Sequence, residues 1–160
     1  PWLARLRPLQ RVVVAGGAGK DITAGMERAG LGRLMQDRLI VLGRLDDLSL
    51  DCVIANARAV MVPILYGGGS NVKTAEALLS GRPVVASAAA MRGFEIASGV
   101  PGLQVADTAP AFGAAVLGLL DAPVPGVSAT HPALVSLLWE TTVAPILEML
   151  RDTAAATVAA

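Results

Sequence analysis

Apolar positions in this chain fall into short runs, each followed by a stretch with helical spacing. The runs "RVVVA" (11–15), "RLIVLG" (38–43), "AVMVPIL" (59–65), "PVVAS" (83–87) and "GLQVA" (102–106) are strand-length and apolar nearly throughout. Between them lie helical segments. One polar, helical stretch runs to about residue 36. The segment 46–57 predicts a helix with Asp residues in its first turn and Leu48, Val53 and Ile54 turned inward. Residues 72–80 predict a helix closed by Gly81, with Pro83 just beyond. Residues 109–120 form another, with Pro110 near its start. At the ends of the chain, residues 1–9 read as the tail of a helix, and 133–152 as a final helical region kinked or broken at Pro145.

Strands that are apolar on both faces and alternate with helices predict an α/β fold. The expected architecture is Rossmann-like: a three-layer parallel sheet with helices on both faces. No internal repeat or low-complexity tract divides the chain, so residues 1–160 read as a single domain. Glycine features stand at three expected strand ends: Gly16-Gly17-Ala18-Gly19, Gly43, and Gly67-Gly68-Gly69. In such sheets ligands bind beyond the carboxyl ends of the strands.

Composition narrows the chemistry. Basic and acidic residues balance at 13 each, which argues against a nucleic-acid partner. The chain is 54% hydrophobic but only 3% aromatic, which predicts a core of small aliphatic side chains. A single cysteine, Cys52, excludes an intrachain disulfide; it reads as a buried small hydrophobe in a reduced, cytoplasmic compartment. No apolar run approaches the ~18 residues of a membrane span.

Several motifs start and then fail. "GAGKDI" (17–22) opens like a dinucleotide fingerprint, but Ile22 stands at the third glycine position. A phosphate loop of the GxxxxGK type would need a glycine at Val14 and Ser or Thr at Asp21. "GGSNV" (68–72) lacks the last glycine of a nucleophile elbow. One histidine, His131, in a Pro-flanked loop, and one cysteine make a Ser–His–Asp hydrolase or a catalytic zinc site a poor fit, and no metal is expected.

The stretch "YGGGSNVKTAE" (66–76) holds together better. Glycines at a strand end let the backbone approach a ligand closely. They lead into a helix N-terminus, where unpaired amides and the positive dipole end favour an anion such as phosphate. Ser70 or Asn71 could cap that helix or donate to the anion. Lys73 is a cation in the first turn, where a bound anion would make it favourable. Glu76, three residues on, can accept two hydroxyl hydrogen bonds, which suits a ribose diol. The plainer alternative is a turn followed by a helix with an i,i+3 surface ion pair, worth only ~0.2–0.5 kcal/mol. For Gly16 and Gly17 an ordinary turn is the plainer alternative.

Four segments together resemble a known family: "LGRLDD" (42–47), "MVPILYGGGSNVKTAEALLSGRPVVAS" (61–87), "RGFE" (92–95) and "VADTAPAFGAAVLGLL" (105–120). They are similar to the C-terminal domain of GT-B retaining glycosyltransferases of the group 1 type. "LLWETTVAPILEML" (137–150) resembles that family's closing Trp-Glu helix, so the likeness extends over roughly residues 1–150.

The resemblance implies that this domain binds a nucleoside diphosphate sugar as donor substrate, without a cofactor. It implies contacts to the donor from Gly16, Gly17, Arg44, Leu45, Gly67, Gly68, Gly69, Ser70, Asn71, Lys73 and Glu76. Glu76 matches the second glutamate of the family's Glu-x7-Glu motif, which holds the ribose, and Gly43–Leu45 match the place where the base packs. Position 68, where the first glutamate of that motif would fall, is glycine. The family domain normally begins one strand earlier, so the sheet is expected to be incomplete at its N-terminal strand. The N-terminal acceptor domain is also expected to be missing, and the isolated chain to be inactive. A hexosyltransferase-type parent follows from the same likeness; peripheral membrane association of that parent is a separate expectation. The alternative is a non-catalytic nucleotide- or phosphate-binding module. Exposed apolar surface along the glycine edge and near residues 1–10 would favour the enzyme half, and a polar surface there the self-contained module.

Overall fold

The computed structural model describes residues 2–67, 71–121 and 125–158, with the side chains of Met35 and 152–158 excepted. The elements in chain order are β1 (Val12–Ala15), α1 (Gly19–Arg28), α2 (Gly32–Arg38), β2 (Leu39–Gly43), α3 (Asp47–Ala55), β3 (Val60–Val62), α4 (Val72–Leu79), β4 (Val84–Ala86), β5 (Leu103–Val105), α5 (Ala109–Asp121), α6 (Pro132–Val135) and α7 (Trp139–Val158). The mixed, alternating α/β architecture matches the expectation. All strand pairings are parallel.

The strands form two sheets, β1–β2 and β3–β4–β5, where one was expected. The reason lies at two edges. Among the described strands, β1 pairs only with β2, and β3 only with β4. In a doubly wound sheet the two halves flank a shared central strand. Among the described strands no pairing joins the two sheets.

Burial peaks at β4. Val84 and Ala86 face one hydrophobic cluster with Leu78 of α4 and Leu134 of α6. Val85 faces the opposite way, onto Val116 and Leu119 of α5, with Trp2 and Phe112 packed alongside. This alternation puts helices on both faces of the three-stranded sheet. The other sheet is barer: Val13, Ile40, Val41 and Leu42 each remain 41–42% exposed. Its strands read like β4 in sequence, but burial depends on what packs against a strand and not on its own apolarity.

Several local expectations are corrected. The N-terminal segment makes a 3-10 turn at Trp2–Arg5 in place of an α-helix tail. α3 is capped by the Asp46 carboxylate, which accepts from the Ser49 amide, but Leu48 in its first turn is 79% exposed. Cys52 is exposed as well, not buried. β3 stops at Val62, before Pro63, which has no amide to donate to a ladder. The last helical region breaks between Val135 and Trp139, while α7 runs through Pro145. The break forms because the Thr141 and Thr142 amides both return to the Leu138 carbonyl and start a new helix there. Gly81 follows α4 with φ 72, in the left-handed region expected of a residue just past a helix end.

Candidate functional site

The candidate residues form two groups, one at the carboxyl end of each sheet. At the end of β1, Gly16 takes φ 104 and its amide donates to the Gly43 carbonyl at 2.5 Å. Gly43, at the end of β2, has φ 69. The two glycine turns are thus joined directly. Gly17 follows on the exposed surface, and Arg44 and Leu45 leave β2 toward the Asp46 cap, Arg44 exposed and Leu45 half-buried. The Asp46 carboxyl is held below the usual aspartate range by the Ser49 amide first and by the Ser49 hydroxyl second.

The second group follows β3. The chain leaves the sheet at Val62 and reaches Gly67 with φ 144, past an almost fully exposed Tyr66. Gly68, Gly69 and Ser70, three of the expected donor contacts, lie outside the described residues. α4 then begins at Val72. Lys73 and Glu76 are both exposed on it, and no ion pair joins them. The plain alternative of a surface ion pair is therefore not what this helix forms.

Asn71 departs from its expected role. It precedes α4 but makes no side-chain cap. Its amide nitrogen donates instead to the Ala89 and Ala90 carbonyls, both at 3.1 Å. The Asn71 side chain therefore leaves the first turn of α4 uncapped, while its backbone carbonyl accepts from the Thr74 and Ala75 amides.

A third element, the turn after β4, supports this start and was not singled out as a site from sequence. The buried Thr74 hydroxyl donates to the Ala90 carbonyl at 2.9 Å. The Arg92 guanidinium donates to the Gly67 carbonyl and, through Nε, to the Ala89 carbonyl at 3.1 Å. The turn is fixed in its own right. The Ser87 hydroxyl donates to the Ile64 carbonyl, and the Ala88 amide donates to the Asp107 carboxylate at 2.6 Å. Arg92 belongs to the "RGFE" segment, so the signal was present; which carbonyl it meets is a tertiary fact.

No hydrogen bond or ion pair among the described residues links the Gly16/Gly43 group to the Gly67/Lys73/Glu76 group. Two open clefts, of roughly 340 and 360 Å³, lie at the opposite, amino ends of the strands. Three of their arginines are engaged with backbone: Arg38 with the Arg7 and Pro8 carbonyls, Arg11 with Pro8 and Gln10, Arg82 with Ala55. His131 caps α6, its Nδ1 accepting from the Ala133 amide at 3.3 Å, which is a structural role. Among the described residues no helix is long and apolar enough to cross a membrane.

Residues 2–122 match the family model described as "Glycosyl transferases group 1". The match spans all five strands and α5 and stops before α6 and α7. No curated protein matches the chain.

Proposed function

The chain belongs to the group 1 glycosyl transferases, and from that premise we propose that it is the donor-binding half of a GT-B enzyme, taking a nucleoside diphosphate sugar. The observation that carries the reading is the start of α4: the Asn71 side chain does not cap it, and exposed Lys73 and Glu76 stand on it without pairing to each other. A diphosphate fits the amides and the Lys73 ammonium, because both offer positive charge to the same oxygens. A ribose diol fits the Glu76 carboxylate, an acceptor with several lone pairs. The base belongs against Gly43, Arg44 and Leu45.

In this reading the sugar passes to a hydroxyl acceptor held by a separate N-terminal domain, with retention at the anomeric carbon and hexose as the transferred group. The helix dipole and Lys73 stabilise the departing diphosphate, so no metal is called for. The isolated chain binds donor without turnover. The parent works in the cytoplasm, peripheral to a membrane.

Exposed apolar side chains support an incomplete half over a self-contained module. Leu65, Tyr66, Val72 and Ile96 are 57–87% exposed around the glycine edge, and Leu9 is 93% exposed near the start of the chain. The test is calorimetric titration of the chain with uridine, guanosine and adenosine diphosphates. Saturable binding of one of them, with NMR shifts at Gly67 and residues 71–76, is the expected result. If none of the three moves those resonances at millimolar concentration, the donor-site reading is wrong for this chain.

A further inference from the structure

We propose that Arg92 is a positioning residue: it ties Gly67, after β3, to the same turn that holds Asn71, ahead of α4. Gly67 is held through its carbonyl by the Arg92 guanidinium. Asn71 is held through its own side-chain amide by the Ala89 and Ala90 carbonyls. Arg92 Nε returns to Ala89 as well. Gly67 and Asn71 are therefore tied to one short stretch, 89–92.

That stretch is a firm base. Ala90 is fully buried and Met91 nearly so. The Ala90 amide donates to the Ser87 hydroxyl at 3.2 Å, and Asp107 holds the Ala88 amide. Four residues, 63–66, separate the end of β3 at Val62 from Gly67, and they contain no strand or helix. Without Arg92, Gly67 would lose its one side-chain tether among the described residues. The contact also requires arginine. A planar fork can meet two carbonyls at once from Nε and Nη2, whereas a lysine ammonium is a single point donor. Two of the five guanidinium donors are used this way, and the charge itself stays beside Gly67.

The inference rests on the donor-site reading for its consequence, but the clamp is testable without ligand. In the 160-residue chain, amide hydrogen exchange at Tyr66, Gly67 and residues 71–73 is compared for wild type, R92Q and R92K. Exchange about ten-fold faster in R92Q, with R92K only partly restored and the thermal midpoint little changed, is the expected pattern for a lost charge-assisted contact. Equal protection in all three chains overturns the clamp. The second arm titrates the preferred diphosphate and its parent nucleoside. Affinity for the diphosphate should fall about ten-fold in R92Q while the nucleoside is unaffected. Equal losses for both, or no loss, overturn the positioning role. If wild type binds no diphosphate, the donor reading fails, and the exchange arm still decides the clamp.

Discussion

The indole of Trp2 lies directly against Gly113. A Cβ built at Gly113 would sit 2.6 Å from two ring atoms of Trp2 and 2.7 Å from its Cβ. The glycine in the middle of α5 is thus a docking notch for the N-terminal 3-10 turn. Two effects compete in Gly113→Ala. Replacing a mid-helix glycine gains ~0.5–1 kcal/mol of helix propensity. Overpacking a fitted contact costs ~1–3 kcal/mol. Because the clash includes the Trp2 Cβ, a ring rotation alone does not relieve it. A net loss of about 1 kcal/mol is expected, read as a lower urea midpoint with unchanged slope. A raised midpoint would mean that Trp2 swings away without cost.

Thr74 is fully buried in the first turn of α4, and its hydroxyl bonds the Ala90 carbonyl. Thr74→Val keeps the shape and removes the donor. Ala90 still accepts from Asn71, so its carbonyl is not left alone. The expected cost is about 1 kcal/mol, that of one neutral hydrogen bond. In the double variant with Asn71→Ala, both donors to that carbonyl are gone, and the loss should exceed the sum of the singles by ~0.5 kcal/mol or more. Strict additivity in a double-mutant cycle would show that the two donors act independently.

Much of this architecture was legible because local pattern and tertiary outcome agree. The run Val84–Ala86 is apolar on both faces and becomes fully buried on both. Gly16, Gly43, Gly67 and Gly81 stand where positive φ is needed. The helix at 46–57 with Asp in its first turn appears as α3, although Asp46 caps it from just outside the first turn. Other features were not legible, for physical reasons. Ile40-Val41-Leu42 has the same apolar character as β4 yet stays partly exposed, because burial depends on neighbours that periodicity does not name. The division into two sheets depends on whether β1 and β3 share a partner strand. Asn71 looked like a cap because its type and position suit one; its amide found two carbonyls from a turn 18 and 19 residues away. The Arg92 contact to Gly67 spans 25 residues, a distance over which spacing carries no information.

The Asp46 cap should give the chain a pH dependence with a definite sign. Its carboxyl is held below the ordinary aspartate range by hydrogen bonds that exist only when α3 is formed. A depressed folded value means the unfolded chain binds the proton more readily. The cap's contribution is therefore fully present above the unfolded value, about pH 4, and is lost as pH falls through the lowered folded value. Asp46→Asn retains a cap of the same shape without the titration. The denaturation midpoints of wild type and Asp46→Asn should draw together on acidification below about pH 4, and Asp46→Ala should lie below both at neutral pH. Parallel curves for wild type and Asp46→Asn across that window would remove Asp46 from the acid response.

Lys73 and Glu76 should divide the ligand between them. If Lys73 meets the diphosphate, Lys73→Ala removes one charge-assisted contact, worth ~1.5–3 kcal/mol and hence roughly ten- to hundred-fold in affinity. The parent nucleoside, which has no phosphate, should bind Lys73→Ala as it binds wild type. Glu76 is assigned to the ribose, and its signature is different. Wild type should prefer a ribonucleoside diphosphate over its 2′-deoxy analogue, because a carboxylate that accepts from both hydroxyls loses one of them in the analogue. In Glu76→Ala that preference should collapse, while the response to removing phosphate remains. The two residues are both exposed and do not pair with each other, so neither substitution should shift the thermal midpoint by much. Isothermal titration of wild type and the two variants with the three ligands separates the roles. A Lys73→Ala chain that loses nucleoside and diphosphate equally would mean that this lysine holds the helix and not the phosphates. A Glu76→Ala chain that still discriminates against the deoxy analogue would move the ribose contact to another residue.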